Sequence, residues 1–408
     1  MGDQHLLVME GELWKHWRSL FNPGFSASNM LTHVPTIVRE TQQFCANLRE
    51  RAARGEVFQM EQLTTDLTVQ VIGHVVLGDS MSAQAQGADF TALLRNQLDL
   101  MSQISRSQGL RKWARRQNPF HRRKIRRNQA TMAKIQDPDD QTKSRTKYVI
   151  DLALDAMPSP VDGKMSSLDP SHLEALSSQT RLFLFAGHDT TSTTLCHDLY
   201  TLSQYPRWCD QLRADHAAIL GPDPGDPAAA ALAACPHLLN EMPVTTAVVK
   251  EVLRLYPPAR TVLVDPETGQ EFPTAGCMLS MVHFGPHRDP RYFPDPHSFR
   301  PERWLKRPNS GENSGEKDSD GNDPLPSTER SHPHAWRPFE VGPRACIGQD
   351  LALVMRQFDV TSCYELEKGS EEKALMDKYK WIGAPAYAKY GFTSKVLGGL
   401  PVKVVERQ

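Results

Sequence analysis

A chain of 408 residues with 39% hydrophobic and 23% charged residues can bury a large core, and this balance excludes a disordered or fibrous protein. The formal net charge of -1 gives no global reason to bind nucleic acid or an acidic surface. Seven scattered cysteines without C-x-x-C spacing suggest neither a disulfide framework nor a zinc site, and they fit a reducing, cytosol-facing environment.

The first element is a short helix around Trp14-Lys15-His16-Trp17-Arg18. It puts Trp14 and Arg18 four apart on one face. An indole N–H beside a guanidinium suits a carboxylate. An amphipathic helix facing a core or a membrane is the plainer alternative. Leucine, valine and isoleucine then recur at helical spacing over most of residues 11–255, which predicts a mainly helical body. Segments near 58–78, 171–204 and 238–256 carry the clearest helical pattern. No uncharged apolar run approaches the ~20 residues that span a bilayer.

Between Arg106 and Arg127 lie ten lysines and arginines, with no acid before Asp137. A solvated helix face or loop is the default reading of such a run. Peripheral contact with an anionic membrane through 106–127 is the alternative. Nucleic acid is not expected, because no nucleic-acid-binding module surrounds the run.

The segment Ala186-Gly187-His188-Asp189-Thr190-Thr191 turns an apolar helix abruptly polar. Gly187 and the hydroxyl cluster are poor helix formers, so a local widening is expected there, with a groove for water or a diatomic gas. Asp189 and Thr190 supply the acid and the hydroxyl that a proton path requires. A threonine-rich surface helix with Asp189 solvated accounts for the same residues equally well.

Further on, Glu251 and Arg254 are three apart on one helix face and can pair. The run from Val262 to Val282 predicts a small hairpin around a turn at Asp265-Pro266-Glu267-Thr268-Gly269-Gln270. Phe299-Arg300-Pro301-Glu302-Arg303-Trp304 follows. Residues 306–334 hold a single aliphatic residue, Leu325, and predict a flexible polar insertion.

Last comes Phe339-Glu340-Val341-Gly342-Pro343-Arg344-Ala345-Cys346-Ile347-Gly348, one thiol between glycines with a cation two residues before it. Gly342 and Gly348 permit positive φ and close backbone approach, so amide groups can point at the sulfur. The helix expected from Gln349 would present its N-terminus to a thiolate. Taken alone, Cys346 reads first as a small buried hydrophobe, the usual fate of a lone cysteine.

Together these motifs resemble the cytochrome P450 family, in the family's order, across residues 10–408. The flanking sequence is most similar to fungal members of secondary metabolism. The resemblance implies a mainly α fold with a small β portion, a single haem domain over 1–408 that lacks the family's N-terminal portion. It implies haem b with Cys346 as the axial iron ligand, in a loop contributed by Phe339, Gly342, Arg344 and Gly348. Ala186 and Gly187 would line the oxygen groove, and Asp189 and Thr190 would deliver protons. Trp14 and Arg18 would reach a haem propionate. Arg260 is a further propionate candidate, three residues before Leu263, where relatives often carry an arginine. Glu251, Arg254 and Arg303 would form a buried structural triad.

The activity implied is monooxygenation: one atom of O2 enters an apolar small molecule and the other leaves as water. Electrons would come from NADPH through NADPH-cytochrome P450 reductase. A reductase-independent haem-thiolate isomerase, dehydratase or peroxygenase, or a truncated non-catalytic fragment, are the rival readings. Full-length relatives sit on the cytosolic face of the endoplasmic reticulum membrane, whereas no anchor is expected in this chain. Met355 stands where many relatives place a glutamate.

Overall fold

The computed structural model describes residues 5–78, 80–81, 84, 147–156, 170–222, 226–259, 261–263, 279–281, 283–305, 334–359, 365–368, 388–390, 394–396 and 400–405. The basic run 106–127, Arg260, and the polar insertion up to residue 333 lie outside the described residues. Among the described residues no helix is long and apolar enough to cross a membrane. The chain divides into two compact units, Met1–His33 with Val69–Gly187, and Val34–Thr68 with His188–Gln408.

In the first unit, α1 (Gly11–Phe21) buries Trp17, Leu20 and Phe21 at helical spacing. Trp17 stacks on Phe21, while Phe183 meets Phe21 and Phe25 edge-on, at 4.7 and 5.0 Å between ring centroids. The short α2 (Ala27–Thr32) is capped by Ser26, whose Oγ accepts the Asn29 amide. Asn29 in turn donates to the carbonyls of Gly24 and Lys147 at 2.9 and 3.0 Å, tying α2 to the chain just before α5 (Val149–Asp155).

In the second unit, α3 (Val34–Arg54) buries Val34, Ile37, Val38, Thr41, Phe44 and Leu48, a single apolar stripe. Arg51 and Arg54 complement the helix dipole in its last turn. A three-residue strand, β1 (Val57–Gln59), leads directly into α4 (Met60–Leu77), so the helix expected near 58–78 is a strand followed by a helix. Nearly all of α4 is buried, including its polar residues Thr64, Thr65, Asp66, Thr68 and Gln70.

The long helix expected near 171–204 is α6 (Pro170–Gln204). Prolines then punctuate the chain. Tyr205, Cys235, Met242, Tyr256 and Arg300 each precede a proline, and all have ψ between 63° and 78° instead of the helical value. The ring of a following proline disfavours the α region, so each marks an element boundary. This is why the single helix expected near 238–256 is two pieces: a 3-10 turn over Pro236–Glu241, then α9 (Pro243–Leu255). Before them come α7 (Pro206–Leu220) and α8 (Asp226–Ala234).

The core of this unit joins Leu202, Trp208 and Leu212 to Val248, Val249, Val252, Leu253 and Leu255 of α9, with Phe299 between. Phe339 and Leu353 pack against the same cluster from the C-terminal side.

The expected hairpin is present as β2 (Thr261–Leu263) paired antiparallel with β3 (Leu279–Met281), Val262 opposite Ser280. A second sheet has β7 (Pro401–Val405) at its centre, with β1 and β4 (Glu365–Lys368) on either side, both antiparallel. Val402 and Val404 point to the core and Lys403 away, the alternation of a half-buried strand. A last pair joins β5 (Ala388–Tyr390) to β6 (Ser394–Val396).

Buried histidines give the fold a pH dependence. His33, His197 and His216 are lowered from 6.5 to about 4, in each case chiefly by burial. The unfolded chain therefore binds protons that the folded chain rejects, and stability falls as pH drops from 6.5 towards 4. Burial raises Asp151, Asp215 and Asp350, an opposite and smaller influence. The denaturant midpoint is expected to be lower at pH 5 than at pH 7; equal midpoints would contradict this account.

Candidate active site

Three segments of the second unit carry the candidate residues: the polar half of α6, the lock around α9, and the loop before α11 (Gln349–Asp359).

α6 is helical throughout, with no widening assigned at Gly187 to Thr190. The structure thus differs from the expected local widening. Side-chain hydroxyls reach three consecutive carbonyls instead: Thr68 Oγ1 donates to His188 at 3.1 Å, Ser192 Oγ to Asp189 at 3.2 Å, and Thr194 Oγ1 to Thr190 at 2.9 Å. Extra donors on helix carbonyls bend a helix gently without ending it. Asp189 is 1% exposed, which removes the reading of a solvated surface acid. Thr190 is half-buried. Ala186 is exposed and Gly187 half-buried at the end of the first unit's share of the helix. A Cβ at Gly187 would meet Ile72 at 2.6 and 2.7 Å, so close helix approach requires glycine there.

The lock is a saturated polar cluster. All five N–H groups of Arg254 have acceptors. Nε and Nη2 form a fork on Glu251 at 2.9 and 2.8 Å. Nη1 donates to the carbonyls of His287 and Pro296, and Nη2 also to that of Ser298, at 2.7, 2.6 and 3.1 Å. Glu251 accepts three further donors: the Arg300 amide at 2.9 Å, Arg303 Nε at 3.4 Å and Trp304 Nε1 at 2.9 Å. Both members of the central pair are fully buried. Arg303 also donates to the Asp295 carbonyl at 2.9 Å. The triad read from the sequence is therefore assembled, and it has two members that the sequence did not flag, the Arg300 amide and Trp304. Trp304 and Trp336 also flank Lys250, whose ammonium lies 5.7 and 5.9 Å from their ring centroids.

The loop from Trp336 to Gly348 is fastened at several points. Trp336 Nε1 donates to the Lys250 carbonyl at 3.1 Å, which roots its start on α9. Glu340 and Gly342 have φ of 59° and 82°, two left-handed residues that turn the chain sharply. Glu340 is a strained position for a side chain of its kind. The turn brings the Cys346 amide to the Phe339 carbonyl at 2.8 Å, and the Ala345 amide to the Gly342 carbonyl at 3.0 Å. Gly348 keeps φ outside the left-handed region, unlike Gly342; its carbonyl accepts the Ala352 amide at 3.0 Å and so starts α11.

Cys346 is exposed, and so is Arg344. The reading of Cys346 as a buried hydrophobe is therefore set aside. A thiol held at the mouth of an 11-residue helix, open on one side and backed by a braced loop, fits a ligand that takes one sulfur donor and brings its remaining donors itself. An iron porphyrin is such a ligand, and Arg344 offers an exposed cation for its acidic groups. Thiolate donation to iron is the chemistry this arrangement can supply.

The remaining predicted residues among the described ones lie in the first unit. Trp14 and Arg18 are half-buried neighbours on α1, and Arg18 Nε donates to Asn22 Oδ1 at 2.8 Å.

Comparison with known proteins agrees with this reading. The family model described as Cytochrome P450 matches residues 2–363. The chain is 32% identical to the cytochrome P450 monooxygenase polC of Polytolypa hystricis, over 92% of this chain and 68% of that protein. It is 30% identical to the cytochrome P450 monooxygenase acrF of Aspergillus aculeatus, over 100% and 85% respectively. It is 25% identical to the cytochrome P450 monooxygenase ptmG of Penicillium ochrochloron, over 97% and 72%.

Proposed function

Because the chain belongs to the cytochrome P450 family, we propose that it oxidises an apolar small molecule of fungal secondary metabolism, with haem b held through Cys346 and electrons drawn from an NADPH-dependent reductase. The observation that carries this reading is the exposed Cys346 thiol on a loop fixed by the Phe339 carbonyl and the start of α11. Bound haem supplies the activation of O2, by which one oxygen atom enters the substrate and the other leaves as water.

The chain's own residues do the rest. Cys346 donates its sulfur, and the N-terminal dipole of α11 favours the negative charge on it. Asp189 places its carboxyl within the protein, away from bulk water, and the half-buried Thr190 lies one residue on. Their role is to relay a proton to the oxygen that leaves as water. Arg344 offers its charge to a propionate. The basic run 106–127 has the charge for peripheral contact with an anionic membrane surface.

The test compares product formation from apolar candidates with and without NADPH and reductase, under isotopically heavy O2. Labelled product that needs both supports the proposal. Product formed without either would overturn it in favour of an isomerase, dehydratase or peroxygenase. Asp189→Asn is expected to lower turnover by roughly a hundredfold or more, the size of a general acid's contribution, with haem uptake unchanged. Unchanged turnover would remove Asp189 from the proton path.

A further inference from the structure

The lock around Arg254 and the loop that carries Cys346 are joined by one imidazole. His287 ends the short helix α10 (Phe284–His287) and is fully buried. Its Nε2 receives the Arg337 amide N–H at 3.0 Å. An amide can only donate, so Nε2 carries the lone pair and the proton sits on Nδ1. Nδ1 lies 3.2 Å from the Arg254 carbonyl, which accepts that proton. The backbone of His287 returns the contact, since its own carbonyl accepts Arg254 Nη1 at 2.7 Å. Arg254 and His287 therefore hold each other through two opposed hydrogen bonds, and the free end of the ring faces the loop.

From Arg337 the order passes to the cysteine. The Arg337 guanidinium pairs with Glu340, and its carbonyl accepts the Glu340 amide at 3.1 Å. His283 Nε2, four residues before His287, lies 3.2 Å from the other Glu340 oxygen. Glu340 is the strained residue beside Phe339, whose carbonyl holds the Cys346 amide. A strained φ persists only where its surroundings fix it, and here Arg337 and His283 do so.

We propose that His287 is a positioning residue, which sets the loop presenting Cys346 by accepting the Arg337 amide while anchored to Arg254. The inference rests on Cys346 being the haem ligand. Its chemistry requires an imidazole that stays neutral, because a protonated ring has no lone pair for the amide. Burial first, then the nearby His283, Arg254 and Arg288, lower His287 to about 3, so the acceptor is kept at every physiological pH.

The test uses His287→Leu, which has no acceptor, His287→Asn, too short to reach the Arg337 amide, and His287→Gln, whose amide oxygen reaches the Nε2 position. Two readouts apply to the full chain. The first is amide hydrogen exchange of residues 336–346 without haem, with α7 as the internal reference. The second is the rate at which the reduced, CO-treated protein loses its thiolate-type Soret band after hemin loading. The Leu and Asn variants should exchange the loop about tenfold faster or more, the order a lost buried hydrogen bond gives an opening equilibrium. They should also lose the band several-fold faster, with α7 unchanged, and Gln should restore both. Wild-type behaviour in Leu or Asn would overturn the proposal. So would equal loss in all three variants, or loss of protection in α7 as well as the loop, since His287 would then support the fold at large. The exchange readout decides the loop's dependence on His287 even if wild-type protein takes up no hemin, an outcome that would count against the haem reading instead.

Discussion

Arg254→Ala is expected to cost about 3–5 kcal/mol of stability, because it strands a fully buried Glu251 carboxylate and frees three carbonyls from their donor. Folded proteins hold only ~5–15 kcal/mol in total, so little soluble protein should remain. Arg254→Lys should fail almost as badly. A lysine keeps the charge, but it has three donors on a single atom, where this site needs five in a planar fork. Equilibrium denaturation, or soluble yield where the variant does not survive purification, measures the effect. A loss under 1 kcal/mol would show that the cluster is not the brace described above. Trp304→Phe removes one neutral donor from Glu251 and should cost only about 1–2 kcal/mol, which grades the cluster's members.

Cys346→Ala should do the reverse: abolish function and spare the fold. The thiol is exposed, and the loop is held by backbone contacts from Cys346 and Phe339 that alanine keeps. The unfolding free energy of the haem-free chain should therefore stay within about 0.5 kcal/mol of wild type, as for an exposed substitution. Product formation with NADPH and reductase should fall to background, because alanine gives iron no ligand. A variant that retains product formation would remove Cys346 from the chemistry. One that unfolds would show that the loop depends on the sulfur.

The contrast between these variants follows from where each charge or donor sits. Arg254 acts on packing and energetics, two steps removed from chemistry. In the proposed function Cys346 acts on chemistry, and its exposed side chain contributes little to packing.

Much of this was legible in the sequence wherever the signal was local. Glu251 and Arg254 are one turn apart, so their pairing could be read from spacing. Ala186 to Thr191 announced a polar change inside an apolar helix, and Gly342 announced the turn before Cys346. Contacts made by chain reversal were not legible. The Arg300 amide, Trp304 and His287 reach the lock only because pre-proline turns at Tyr256 and Arg300 redirect the backbone. Nothing periodic marks a residue whose partner lies 33 to 53 positions away. His287-Arg288-Asp289-Pro290, a histidine and an arginine just before a proline turn, was the available signal for the missed imidazole.

The sheet was hidden for a related reason. β1 has only three residues, too few for alternation to stand out in the sequence, and it finds its partner β7 more than three hundred residues later. The expected widening in α6 went the other way: glycine and hydroxyls did weaken the local helical preference, but Thr68, Ser192 and Thr194 satisfied its carbonyls and packing kept it continuous.

The absorption spectrum of the reduced, CO-treated protein after hemin loading tests the central claim most directly. Sulfur ligation predicts a strongly red-shifted Soret band that is absent in Cys346→Ala. A band typical of histidine ligation, or wild-type protein that takes up no hemin, would contradict it.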